Sequence, residues 1–207
     1  IADKLQPVPG KPLTFKAQGL RMENPADLVF EPFSQIHDAR YMMYWMSLSN
    51  KEYKAYLDSV SQIEEKKLAL EKRTVDAVAP GEQQPEVDHE LQHLNSNTGN
   101  HSDQFWRDAR NEGYFSYRLA TNKKTGLTLI VRYWGAEWGT RKFDIYVDDQ
   151  KLVTEDNTGR WNQSKFHDIS YAIPDSMVNG KESVRIKFQS LPGSSAGAVY
   201  HVRLVTK

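Results

Sequence analysis

The chain has 207 residues, with 27 basic and 27 acidic side chains and a formal net charge of zero. It is long enough to bury one core, or one core and part of another. Its charge balance excludes the basic excess that supplies general nucleic-acid affinity. The absence of cysteine excludes disulfides, thiol nucleophiles and thiolate metal sites. No apolar run is long enough to predict a membrane span, and no signal-peptide pattern is expected at the start.

In chain order, residues 1–10 hold two prolines and a glycine and do not read as the start of a fold. Pro12 to Phe15 and Asp27 to Phe33 read as short strands. Arg40 to Leu48, RYMMYWMSL, is dense in aromatic and Met residues and suits a strand buried on both faces, or one with an aromatic outer face. Too few strands precede the next element to close a sandwich, so residues 1–49 read as the end of a larger sheet. Exposure or an intermolecular contact is expected at Tyr41, Met43 and Trp45.

A helix is predicted over 50–78. Ser49 and Glu52 form an S-x-x-E capping box, in which each side chain satisfies a free backbone donor. Tyr53, Tyr56, Leu57, Val60, Ile63 and Leu70 recur at helical spacing, and Glu64, Lys67 and Glu71 make a solvated face. Residues 79–112 are polar and turn-rich and read as a linker or long surface loop.

From Gly113 the pattern is all-β. Tyr114 to Leu119, Leu127 to Trp134, Lys142 to Val147, Lys151 to Thr154, Phe166 to Ile173, Ser183 to Phe188 and Val199 to Val205 are short, β-branched or aromatic, and bounded by turn residues. Asp148-Asp149 fits a hairpin turn. About seven strands at regular spacing predict an antiparallel β-sandwich over 113–207, of jelly-roll, galactose-binding-like form. Leu129, Val131, Ile145, Val147, Ile186, Phe188, Val202 and Leu204 are expected to point inward. The fold class is therefore mainly β, with a few strands and one long helix before the sandwich.

His89-Glu90-Leu91-Gln92-His93 matches H-E-x-x-H, and Glu112 follows at a spacing seen for a third zinc ligand. On one helix the two histidines would share a face and the glutamate would activate water. The flanks, GEQQPEVD and LNSNTGNHSD, are those of a loop and offer no second lobe for a cleft. A zinc hydrolase on His89, His93 and Glu112 is thus a remote alternative to surface histidines.

Tyr133, Trp134, Trp138 and Trp161 cluster around two turn-rich stretches, WGAEWGTRK and TEDNTGRWNQSK. Aromatic rings beside paired donors and acceptors suit a pyranose, whose apolar face stacks while its hydroxyls are bonded. The candidate sugar-binding set is Trp134, Trp138, Arg141, Asn157, Arg160 and Trp161, with Glu137 and Asp156 nearby. The rival reading is that Trp138 and Trp161 plug the end of the sandwich. Asp148, Asp149, Glu155, Asp156 and Asn157 could supply oxygen ligands to a structural Ca²⁺, although turn chemistry explains the first two. No catalytic carboxylate pair or phosphate-binding loop stands out.

The stretch PFSQIHDARYMMYW, followed by LEKRTVDAVAPGEQQPEVDH, NSNTG, FWRDARNEGYFSY and VRYWGAEWGTRKFDIYVDDQKL, resembles the C-terminal region of Bacteroidetes proteins of the β-L-arabinofuranosidase family, family 127 of the glycoside hydrolases. The resemblance covers nearly the whole chain. It implies an accessory β-sandwich that partners the helical catalytic barrel of a parent enzyme, in the periplasm or outside the cell. The family's barrel uses cysteines, which this chain lacks, so none of its catalytic residues carries over. His37, Asp38 and Arg40 lie in a matching motif and read as a buried polar network. The functional expectation is a non-catalytic module of a glycoside hydrolase that contacts carbohydrate. An autonomous carbohydrate-binding module is the alternative.

Overall fold

The computed structural model describes residues 5–17, 28–32 and 48–206. The expectations for Tyr41, Met43 and Trp45, and for His37, Asp38 and Arg40, lie outside the described residues. The chain divides into two compact units, residues 1–54 and 55–207.

In the first unit, β1 (Leu5–Pro7), β2 (Phe15–Ala17) and β3 (Leu28–Phe30) form an antiparallel sheet in that order. The prolines near the start therefore do not prevent pairing, and Pro7 lies opposite Phe15. The second strand lies later than the Pro12 to Phe15 expectation. Helix α1 (Asn50–Arg73) opens with the predicted box: the Ser49 N–H donates to Glu52 at 2.8 Å and the Glu52 N–H donates to Ser49 Oγ at 3.3 Å. No side chain of α1 is buried.

The helix stops at Arg73 rather than at 78. Its last residues turn directly into β4 (Thr74–Val78), which pairs with the final strand, and Arg73 Nε donates to the Thr206 carbonyl at 2.9 Å. The sandwich therefore begins at Thr74, not at 113. The stretch expected to be a linker, 79–112, holds helix α2 (Gln83–Asp88), β5 (Gln92–His101) and the first half of β6 (Gln104–Ala120). These are followed by β7 (Leu127–Trp134), β8 (Lys142–Val147), β9 (Gln150–Asp156), β10 (Phe166–Ala172), a short helix α3 (Asp175–Val178), β11 (Ser183–Ser190) and β12 (Ser195–Thr206).

All nine strands from β4 to β12 are hydrogen-bonded, antiparallel, into one sheet that curls into a sandwich. One layer runs β10-β7-β12-β4 and the other β5-β6-β11-β8-β9, with β12 pairing β6 through Ser195–Val199 where the layers join. β6 can serve both layers because it bends. Asn111 and Glu112 have φ of 50° and 60°, and a Cβ on Gly113 would lie 2.5 Å from the Leu94 carbonyl oxygen.

The strands alternate as the period-2 pattern requires. Leu129, Val131, Ile145, Val147, Ile186, Phe188, Val202 and Leu204 are all buried in one core with Phe115, Tyr117 and Leu119. Asp148 takes φ 52° in a two-residue turn between β8 and β9.

The H-E-x-x-H stretch is not one helix. Helix α2 ends at Asp88, the chain turns at Glu90 with φ 49°, and His93 stands exposed on β5. His89 is held by the Pro85 carbonyl at 2.6 Å and by Asp76 at 3.2 Å. Glu112 sits in the bend of β6. Among the described residues, no group of three His, Cys, Asp or Glu is placed to hold a metal ion. His89 and His93 therefore do not share one helical face, as a zinc site on His89, His93 and Glu112 would require.

Candidate functional site

An open pocket of about 330 Å³ lies where three segments meet. The β5–β6 hairpin contributes Asn100, His101, Trp106, Asp108 and Arg110. The end of β7 and the loop after it contribute Trp134, Ala136, Glu137, Trp138 and Arg141, and β12 contributes Ala198 and Tyr200.

Each wall is fixed by its own physics. Trp106 lies against Gly99 across the hairpin, so close that a Cβ there would be 2.4 Å from its ring. Trp134 is wedged edge-on between His101 and Phe166, at 4.5 and 4.9 Å. Arg141 clamps the loop: Nη2 pairs with Glu137 at 2.8 Å and Nε donates to the Trp138 carbonyl at 3.1 Å. Trp138 itself is 85% exposed. Behind it a further hollow of about 300 Å³ is bordered by Arg110, Gly193 and Ser194, so the indole stands as a partition between two openings. An indole that is open to solvent on a loop whose backbone is pinned offers its face for stacking.

The charges in the pocket are paired. Asp108, almost wholly buried, takes Nε and Nη2 of Arg110, both at 3.0 Å, and the Asn97 amide at 3.3 Å. Burial raises the Glu137 carboxyl above its usual value; Arg141 opposes this, and nearby Asp108 adds to it. Burial, with the charge of Glu137, likewise pushes the Tyr200 phenol up.

Trp134, Trp138 and Arg141 of the sequence-derived set thus meet in one pocket. Asn157, Arg160 and Trp161 do not join them. Trp161 packs against the core, stacked on His167 at 4.5 Å and 9° and on Tyr133 at 6.4 Å and 23°, with the Arg160 guanidinium 4.7 Å above it. Arg160 also donates to Glu155 at 2.6 Å and to Asn157 at 3.2 Å, and Tyr171 bridges Glu155 to Tyr133. This network closes one end of the sandwich, as in the plug reading.

It also accounts for part of the Ca²⁺ set, since Glu155 is engaged by Tyr171 and Arg160. Asp148 accepts from Lys181 at 2.6 Å and from the Arg185 N–H at 2.9 Å, and Asp156 accepts from the Thr158 N–H at 3.0 Å. Sequence reasoning missed Asn100, His101, Trp106, Asp108, Arg110 and Tyr200. The one local cue was a polar run, NSNTGNH, turning straight into an aromatic pair, FW.

A larger groove of about 540 Å³ lies on the outer face of the second layer, lined by Tyr114, Arg118, Arg185 and Lys187 among others. Its aromatic ring, Tyr114, is less open to a ligand, because the Lys187 ammonium lies 6.0 Å from the ring centre. Among the described residues no helix is long and apolar enough to cross a membrane.

A family model described as "Family of unknown function (DUF6805)" matches residues 69–205, the span of the sandwich, and one described as "Domain of unknown function" matches residues 1–47. No curated protein matches the chain. Several solved structures of carbohydrate-binding modules are similar in fold. A family 35 module from Clostridium thermocellum has 16% identity and a TM-score of 0.44, over 63% of this chain and 98% of that one. A family 35 module from an environmental isolate has 12% identity and a TM-score of 0.46, over 63% and 93%. The C-terminal family 6 module of a marine laminarinase from Zobellia galactanivorans has 14% identity and a TM-score of 0.41, over 63% and 98%.

Proposed function

We propose, for this chain that belongs to the DUF6805 family of unknown function, that the sandwich is a non-catalytic module that holds a glycan in the pocket between the β5–β6 hairpin and the loop after β7. The observation that carries this reading is Trp138, whose indole is 85% exposed and whose main-chain carbonyl is bonded by Arg141, at the mouth of a pocket walled by Trp106, Trp134 and Tyr200. A sugar ring stacks on the indole and its hydroxyls reach the polar groups behind it.

Binding is favoured over cleavage because both pocket carboxylates, Asp108 and Glu137, are engaged by guanidinium groups. The sequence resemblance to the C-terminal region of β-L-arabinofuranosidase-family proteins supports a finer version. In it, the module sits beside the catalytic barrel of a glycoside hydrolase and works in the periplasm or outside the cell.

The test is affinity electrophoresis and calorimetry of the full chain against a panel of plant and algal polysaccharides. Trp138→Ala should abolish the binding seen for the wild-type chain. A stability change within about 0.5 kcal/mol is expected at so exposed a position. Binding that survives Trp138→Ala would refute the assignment.

A further inference from the structure

The pocket divides its polar groups into two classes. Its four carboxylate and guanidinium side chains are engaged with one another: Arg110 with Asp108, and Arg141 with Glu137. Asp108 has both oxygens occupied, one by Asn97 and the other by two nitrogens of Arg110. Arg141 is further committed to the Trp138 carbonyl. By contrast, the side chains of Asn100, Trp106, Trp134, Trp138 and Tyr200 line the same space without a hydrogen bond to any described residue.

We infer that the pocket selects an uncharged glycan and discriminates against uronate-bearing or sulfated ones. This rests on the glycan-binding reading above. The groups left to recognise a ligand are indole N–H, amide, phenol and the His101 imidazole, which match hydroxyls and ring oxygens. A ligand carboxylate would meet no unpaired arginine or lysine among the described pocket residues. To gain one it would compete with Glu137 for Arg141 or with Asp108 for Arg110, weakening the hold on a protein carboxylate that is itself largely buried. Like-charge repulsion from Asp108 and Glu137 adds to the penalty. The ion pairs therefore serve as a filter as well as a scaffold.

The experiment is calorimetry with matched probes: gluco- and galacto-oligosaccharides against oligoglucuronate and oligogalacturonate of the same length, and a neutral galactan against a sulfated one. Within each pair that binds, the neutral member should bind at least about tenfold more tightly. Glu137→Gln, which releases Arg141, should narrow that ratio, whereas Glu182→Gln, on the remote Lys123 pair, should leave it unchanged. Equal or tighter binding of the charged member would overturn the inference while leaving the glycan reading intact. An unchanged ratio in Glu137→Gln would overturn the assigned role of that ion pair. Absence of binding to both members of every pair would remove the glycan reading and this inference with it.

Discussion

Trp138 and Trp161 look alike in the sequence, each close to a glycine and to polar turn residues, yet the structure gives them opposite surroundings. Truncating each to alanine separates those roles. In Trp161→Ala, two ring contacts disappear, with His167 and with Tyr133; each such pair is worth about 0.5–1.5 kcal/mol beyond its buried area. The Arg160 guanidinium loses its ring, a further loss of about 0.5–1 kcal/mol. Burial of the half-exposed indole adds on the order of 1 kcal/mol, less than the 1.5–3 kcal/mol of a fully buried side chain.

The expected loss for Trp161→Ala is therefore about 2.5–5 kcal/mol. That is a large share of the stability of a typical domain. Trp138→Ala should stay within about 0.5 kcal/mol. Urea unfolding followed by circular dichroism measures both as midpoint shifts at constant slope, and calorimetry on the same samples reads glycan binding. A Trp161→Ala protein that is as stable as wild type and has lost binding would refute the division of roles.

Three further outcomes are expected. Glu86 is buried and accepts two 2.6 Å bonds from Arg107, with Tyr117 and the Gly81 N–H also donating to it. Glu86→Ala leaves Arg107 buried without its partner and should cost about 3–5 kcal/mol; urea unfolding should show Glu86→Gln combined with Arg107→Met recovering part of it. Gly99→Ala places a methyl inside the Trp106 ring, so it should lower stability by about 1–3 kcal/mol and weaken glycan binding. An unchanged thermal midpoint would contradict that packing. His201 is depressed to about 4, chiefly by burial and then by Arg203 and Arg132. Below pH 6.5 the unfolded chain therefore takes up a proton that the folded chain refuses, and stability should fall between pH 6.5 and about 4. His201→Gln should flatten that part of a thermal-shift profile.

The strands from the second half of β6 onward were legible because each buries one face and exposes the other, which writes a period of two into the sequence. β4 and β5 were not. TVDAV follows the helix with no glycine or proline between, so helical periodicity runs on into it. β5 is largely exposed, so QHLNSNTGNH carries no apolar alternation and reads as a loop.

The site was half legible for a similar reason. Trp134 ends β7, and Trp138 and Arg141 lie in the loop that follows it, so the three reveal themselves together. Trp106, Asp108 and Tyr200 reach the pocket through strand pairing across many residues. The fate of Trp161 depended on Tyr133 and His167, which face each other in the β7–β10 register. The Glu86–Arg107–Tyr117 cluster joins three separate elements and leaves no local signal.

The most direct test of the account is a titration of the ¹⁵N-labelled chain with neutral oligosaccharides, followed through the indole N–H resonances of its five tryptophans. The pocket account predicts that the resonances of Trp106, Trp134 and Trp138 shift together and saturate with one affinity, while that of Trp161 stays in place. Saturable binding that moves Trp161, or that leaves all three pocket indoles unmoved, would contradict it.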